Sequence, residues 1–387
     1  MHSVLWLVRK GIQATGILVL LAGVTLVLSL MAPIKVWRTG ELPAESIQVQ
    51  PAEPFTASPV RVWIDTDAAC GVSQRTDPDD CFAILLLDQQ NVVEIVGVST
   101  VFGNGPLRET DRTSRDLIDL LETSNPHAIP VYRGASEPIK QEENVRPREA
   151  PEALRKALEH KPLVIVALGP LTNIALALKD RPHLQANVTR LVAVMGRRKG
   201  HVFHPVEGGT AHSFLGHGPI FRDFNMTEDE QAAAAVLAMG LPLTLIPYEA
   251  ARDVLLDRST LKRMETLGGP AAWVAQRAHP WLTYWREDIN IVGFYPFDLI
   301  AAAYVAQPSL LRCAHVPVAI EDDTWLFGWL GNRGLFVQSK EEVEPPPIAL
   351  GTALYCSEVS THLQTWLVDQ LANVHESPGL QALAGAS

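Results

Sequence analysis

The sequence predicts an α/β protein: an open, mostly parallel β-sheet with helices on both faces, preceded by an N-terminal transmembrane helix. Three observations carry this. Short apolar runs recur at 60–64, 94–100, 163–168, 191–195 and 243–247, most of them rich in β-branched residues. Segments of helical period separate them, and each run closes on Gly, Pro, Asp, Asn or Thr. Near-continuous apolar strands are buried on both faces, and strands alternating with helices read as βαβ units around a parallel sheet.

The chain has 387 residues, a formal net charge of −11 and four cysteines. The acidic balance argues against nucleic acid as a partner. Cys70, Cys81, Cys313 and Cys356 form no CxxC pair, which disfavours zinc and leaves room for a disulfide.

Taken in order, residues 1–38 are set apart. No charged residue lies between 11 and 34, Arg9 and Lys10 precede that stretch, and Lys35 and Arg38 follow it. The length suits one membrane span, and no A-x-A cleavage site precedes Pro33. An uncleaved membrane anchor is expected, in preference to a cleaved signal. The flanking charges balance, so orientation rests on the usual signal-anchor arrangement, with the large domain outside the cytoplasm. Residues 39–59 carry Pro43, Pro51, Pro54 and Pro59 without apolar periodicity and read as a linker. The globular domain is expected over 60–376, with a loose tail at 377–387.

The opening of that domain is its most informative stretch. The strand 60–64 ends in Asp65 and Asp67; a polar loop through Gly71, Ser73, Asp77 and Pro78 follows; Asp79 and Asp80 then head the apolar run 81–87. Acids suit a helix first turn, so the pattern is strand, loop, helix. Four carboxylates at the carboxyl end of a strand repel one another unless a cation or proton sits among them, and a hard divalent cation suits oxygen donors. The plainer alternative is a helix cap with solvated loop charges.

Farther on, helices are expected over 106–122, 150–160 and from 172, and an Ala-rich one over 227–239. A short strand is expected at 129–133. The carboxyl third differs: an aromatic helix at 270–285, a small-residue helix at 297–306, and strands at 316–321, 325–330 and 334–337. Gly331-Asn332-Arg333 reads as the turn joining the last two strands. A closing helix is expected at 361–372.

Five motifs, in chain order, bring a known family into view: Asp65-Thr66-Asp67 with Asp79-Asp80; residues 99–104, STVFGN; residues 167–173, ALGPLTN; Asp223-Phe224-Asn225; and Pro296-Phe297-Asp298. With these the chain resembles the inosine–uridine type nucleoside hydrolases over about 60–372. The resemblance implies an open α/β fold holding one Ca²⁺, and cleavage of the N-glycosidic bond of ribonucleosides to ribose and free base. It implies Asp67, Asp80, Asp298 and the main-chain carbonyl of Leu168 as calcium ligands. Asp67 would be the base that deprotonates the attacking water, and Asp79, Asn104 and Asn225 would hold ribose hydroxyls. Asp223 falls near the 5′-hydroxyl and Met195 close to the ribose. Trp281, Tyr284 and Trp285 fall where the family surrounds the nucleobase, although helical spacing fits core packing equally well. Phe224 reads as packing. A homo-oligomer is a further implication of the family.

The chain departs from the family's pattern in three places. The loop between Asp67 and Asp79 is long, with Ala68 where Pro is usual. Phe297 stands where purine-cleaving members often have His, and a phenyl ring cannot donate a proton. The segment 197–219 is enlarged and carries His201, His204, His212 and His217, which read as solvated unless one replaces the missing acid. Two alternatives stay open: a non-catalytic relative that keeps calcium and ribose contacts, and a hydrolase of another N-ribosyl compound.

Overall fold

The computed structural model describes residues 20, 23, 47–124, 128–139, 149–198, 223–325, 330–338 and 349–372. The anchor expected at 1–38 and the tail at 377–387 lie outside these residues, apart from Leu20 and Gly23, as do His201, His204, His212 and His217. Among the described residues, no helix is long and apolar enough to cross a membrane.

The main strands are β1 (Gln50–Pro51), β2 (Val60–Thr66), β3 (Val93–Thr100), β4 (Val131–Arg133), β5 (Leu163–Ala167), β6 (Val188–Ala193), β7 (Arg197–Arg198) and β8 (Leu243–Leu245). They continue with β9 (Leu256–Asp257), β10 (Gly293–Phe294), β11 (Leu311–Trp325), β12 (Leu330–Val337) and β13 (Ala349–Val359). The large sheet runs β4-β3-β2-β5-β6-β8-β13-β11-β12-β7, with β1 added on β11; β9 and β10 form a separate pair. From β4 to β13 every neighbouring pair is parallel, while β11 is antiparallel to β13 and β12.

Alternation along the central strands assigns each face its own core. Val62, Ile64, Val164, Val166 and Val192 pack with the helices Asp79–Asp88, Gly269–Tyr284, Phe297–Ala306 and Leu363–Ala372. Trp63, Ile165, Leu191 and Ala193 pack on the other side with Glu149–His160, Thr172–Leu178 and Glu230–Ala238. This is the pleat's period of two, filled on both faces.

The order reverses at β2: β3 and β4 extend to one side of it, β5, β6 and β8 to the other. A crevice therefore opens at the carboxyl ends of β2 and β5, the position where open α/β sheets bind ligands. Asp67 leaves β2 there, and Leu168 leaves β5 there.

The sequence and the structure differ in several places, of which four bear on the architecture. The stretch read as a linker docks at its carboxyl half: Gln50 and Pro51 pair with Cys313 and Arg312, the Ala52 N–H donates to the Leu311 carbonyl at 2.9 Å, and Phe55 meets Tyr304 edge-on at 5.8 Å. Gly331-Asn332-Arg333 is no turn; it lies within β12, where Gly331 pairs with Thr324, so a long hairpin replaces the two short strands and its connection at 326–329 lies outside the described residues. β13, which bridges the parallel and antiparallel halves, was not anticipated. The Ala-rich helix divides into Phe224–Glu228 and Glu230–Ala238, because Asp229 caps the second through the Ala232 N–H at 3.0 Å.

All four cysteines are paired, as Cys70–Cys81 and Cys313–Cys356.

Candidate active site

Two helices begin side by side at the crevice. Asp79-Asp80 opens one and Asp298 the other, all three buried. The Asp298 main-chain N–H donates to the Asp79 carboxylate at 2.9 Å, and carboxylate oxygens of Asp79, Asp80 and Asp298 come within 4.8 Å of one another. The unpaired N–H groups and dipole of each helix start favour negative charge.

Asp67 joins them from the end of β2. Its own N–H donates to Asp80 Oδ1 at 3.2 Å, and the Thr66 hydroxyl donates to the same oxygen. Its carboxylate accepts the Asn104 N–H at 2.7 Å. Two glycine loops make room for it. A Cβ on Gly103, at φ +148, would fall 2.1 Å from Asp67 Oδ2, and one on Gly169 would fall 3.0 Å from Asp67 Cγ. Gly103 is thus required twice over, for conformation and for close approach.

Asp77 completes the group, half-buried two residues before Asp79, whose N–H it accepts at 3.2 Å. Burial pushes the carboxyls of Asp67, Asp77, Asp79, Asp80 and Asp298 upward, and mutual repulsion adds to this for Asp67, Asp77, Asp80 and Asp298; Asp80 is raised to about 7. Among the described residues, no ion pair to Lys, Arg or His relieves any of the five. Buried carboxylates so gathered need protons or a cation, and an all-oxygen donor set fits a hard divalent ion.

Asp65 faces away from this group. Its Oδ1 accepts from the Ser99 hydroxyl and from Asn173 Nδ2 at 2.8 Å, and burial raises its pKa to about 7. Asn173 also donates to the Thr100 carbonyl at 3.0 Å and accepts the Ala135 N–H at 2.9 Å, tying β2, β3 and the loop after β4 together behind the site.

Of the residues expected to bind metal, Asp80 and Asp298 lie together with Asp79, and Asp67 adjoins them through its N–H on Asp80. The Leu168 carbonyl accepts Asn225 Nδ2 at 2.6 Å, and that amide also donates to the Val194 carbonyl at 3.1 Å. Asn104 clasps the acidic loop: its Oδ1 accepts the Asp77 N–H at 3.2 Å and its Nδ2 donates to the Asp77 carbonyl at 2.7 Å. Asp223 caps the helix Phe224–Glu228 and accepts the Gly196 N–H at 2.6 Å; burial raises it to about 6, with Arg197 opposing. Met195 is buried in the core.

Trp281 and Trp285 are 4% and 1% exposed and pack against Tyr284 and Tyr295, so their indoles belong to the core. Positions 281 and 285 share a helix face, and that face is the inward one. Phe224, in contrast, is 47% exposed between Asp223 and Asn225, and is not packing. Phe297 is half-buried and stacks on Tyr248 with centroids 6.0 Å apart. Sequence reading missed Asp77 as a cluster member; the signal was its place two residues before Asp79. It also missed Thr66 and Asn173, whose polar side chains sat in motifs without an evident partner.

Residues 62–350 match the family described as inosine-uridine preferring nucleoside hydrolase. The chain is similar to the non-specific ribonucleoside hydrolase RihC of Klebsiella pneumoniae, 29% identical over 280 residues, covering 65% of this chain and 84% of that protein. It is also similar to the pyrimidine-specific ribonucleoside hydrolase RihA of Escherichia coli, 25% identical over 269 residues, with 63% and 81% covered. The solved structure of a plant nucleoside hydrolase, PpNRh1, has the same fold, with a TM-score of 0.63 at 19% identity, covering 82% of this chain and all of that one. A matched span of this extent, with five carboxylates at its switch point, places the chain in a family: it belongs to the inosine-uridine preferring nucleoside hydrolases.

Proposed function

We propose that the chain is a calcium-dependent hydrolase of ribonucleosides, releasing ribose and the free base. One observation carries the reading: Asp67, Asp77, Asp79, Asp80 and Asp298 converge from three separate chain segments on the carboxyl end of β2, raised in pKa and without a compensating basic side chain among the described residues. The names of the curated relatives support the same chemistry.

Asp79, Asp80 and Asp298 are the residues that would hold the cation, with Asp67 beside them. When bound, a hard divalent ion supplies Lewis acidity and an anchor for oxygen donors. Asp67 is the proton acceptor in this reading. The Asn104 N–H fixes its orientation, and burial, with the Asp80 charge beside it, holds its pKa above the ordinary carboxylate range in the cation-free protein. The developing oxocarbenium charge on the sugar faces a wall of carboxylates, which stabilises it electrostatically. Asn225, held by two main-chain carbonyls, and Asp79 border the same crevice and suit ribose hydroxyls. Phe297 supplies no proton to the departing base; its ring, stacked on Tyr248, offers an apolar wall.

The reading extends to location. An apolar stretch at 11–34, with Arg9 and Lys10 before it, favours a membrane-anchored chain, and two disulfides favour an oxidising compartment. We take the domain to lie outside the cytoplasm. Incubation of the full chain with calcium and a panel of ribonucleosides tests the activity. Equimolar free base and ribose are expected, whereas saturable nucleoside binding without base release assigns the chain to the non-catalytic alternative.

A further inference from the structure

We infer that the Cys70–Cys81 disulfide is a positioning device for the acidic loop, so that the affinity of the carboxylate cluster for its cation depends on this one covalent link. The inference rests on the proposed cation-dependent function.

The two cysteines are 11 residues apart and bracket the segment that carries Asp77, Asp79 and Asp80. Both are buried in the core, with Cys81 directly after Asp80 in the first helical turn. Between them, Gly71 to Arg75 is exposed, so this stretch contributes little apolar burial to hold itself down. Beyond the bonds that Asp79 and Asp80 accept at the helix start, its other anchors are local or polar contacts. Gly71, at φ +77, lies against the Arg277 side chain; the Arg75 guanidinium sits 5.2 Å from the centre of the Tyr284 ring; Ser73 and Thr76 share a hydrogen bond of 2.6 Å; and Asn104 clasps Asp77.

Against these anchors stands the repulsion among five carboxylates, three of them on this loop. A cross-link across a short loop removes many of the open conformations into which that repulsion would drive the segment. The link fixes both ends of the loop without lending a charge or a ligand to the cluster. Cys70 and Cys81 therefore act through Asp77, Asp79 and Asp80 as positioning residues. A dithiol reductant reverses the effect: two electrons and two protons pass to the sulfurs, giving two thiols, while the dithiol closes to its own disulfide.

The other disulfide supplies the control. Cys313–Cys356 joins β11 to β13 across the sheet and borders none of the five acids.

The test is calorimetric titration of calcium into the full chain, its Cys70→Ala/Cys81→Ala variant and its Cys313→Ala/Cys356→Ala variant, each with a thermal melt in chelator. The first variant is expected to bind calcium about 10-fold more weakly or worse, the range for groups that orient metal ligands. The second is expected to melt earlier yet keep its affinity within about twofold, as distant sites do. Equal calcium affinity in the first variant and the parent overturns the inference. If the first variant does not fold, the parent is titrated after a dithiol has opened Cys70–Cys81, confirmed by alkylation and mass measurement. Unchanged affinity there overturns the inference equally. A parent chain that binds no divalent cation overturns the functional reading itself, and the inference with it, a result distinct from the others.

Discussion

The main-chain N–H of Asp298 donates to the carboxylate of Asp79 at 2.9 Å, across 219 residues of sequence. That bond pins together the starts of two buried helices, Asp79–Asp88 and Phe297–Ala306, and brings three acids to one point. Helix termini and strand ends gather the charge, and the core on one face of the sheet fixes the helices. The centre is thus a consequence of where two apolar helices begin.

Replacing one acid tests whether the cluster is strained by its own charge. Asp298→Asn removes a carboxylate whose neighbours oppose its ionisation. The cation-free protein is expected to gain about 1–2 kcal/mol of stability, while hydrolysis falls about 1000-fold or more. Melts in chelator and in calcium, with base release, check both. A variant less stable than the parent in chelator would mean that Asp298 is held by attraction.

Gly103→Ala introduces a methyl where Asp67 Oδ2 already lies, at 2.1 Å, and at a φ of +148 that alanine avoids. The Asp67 carboxylate must move. The kcat/KM for nucleoside cleavage is expected to fall about 100-fold, as displaced catalytic groups do. Steady-state kinetics on the folded variant decide it.

Asn104→Ala separates two roles. If the side chain serves the loop, as its two hydrogen bonds to Asp77 indicate, calcium affinity falls about 10-fold. If it serves only the ribose, KM rises and calcium affinity stays.

Asp65 and Asp223 add to the pH dependence that the five clustered carboxyls give the cation-free protein. Burial, the leading cause for each, raises them from 3.8 to about 7 and about 6. Between about pH 4 and 7 the folded state keeps protons that the unfolded chain has released, so stability falls as pH rises through that window. Asp65 alone accounts for a loss on the order of 3 kcal/mol. Asp65→Asn keeps an oxygen for Ser99 and Asn173 and is expected to flatten the profile in chelator over that range. A profile as steep as the parent's would contradict the account.

The parallel half of the fold was legible because its strands are apolar runs that end on Gly, Pro, Asp or Thr. The cluster was legible because four of its acids lie in short motifs. What stayed hidden depends on distant partners. β13 reads ALGTALYCSEV and owes its strand conformation to pairing with β8 and β11 rather than to local propensity. Gly331-Asn332 looks like a turn in isolation, but the register of β11 with β12 carries it into a strand. The cysteine pairing follows from tertiary proximity and not from spacing. Asn104 has polar chemistry suited to a sugar, and only the folded loop shows its two hydrogen bonds to Asp77.

The measurement that bears most directly on the central claim is uridine and inosine cleavage by the full chain, first stripped with chelator and then reloaded with calcium, beside Asp67→Asn. The account predicts base release by the reloaded parent, a loss of about 1000-fold or more on stripping, and a comparable loss in Asp67→Asn despite calcium. Release that survives chelation, or an Asp67→Asn variant as active as the parent, would contradict it.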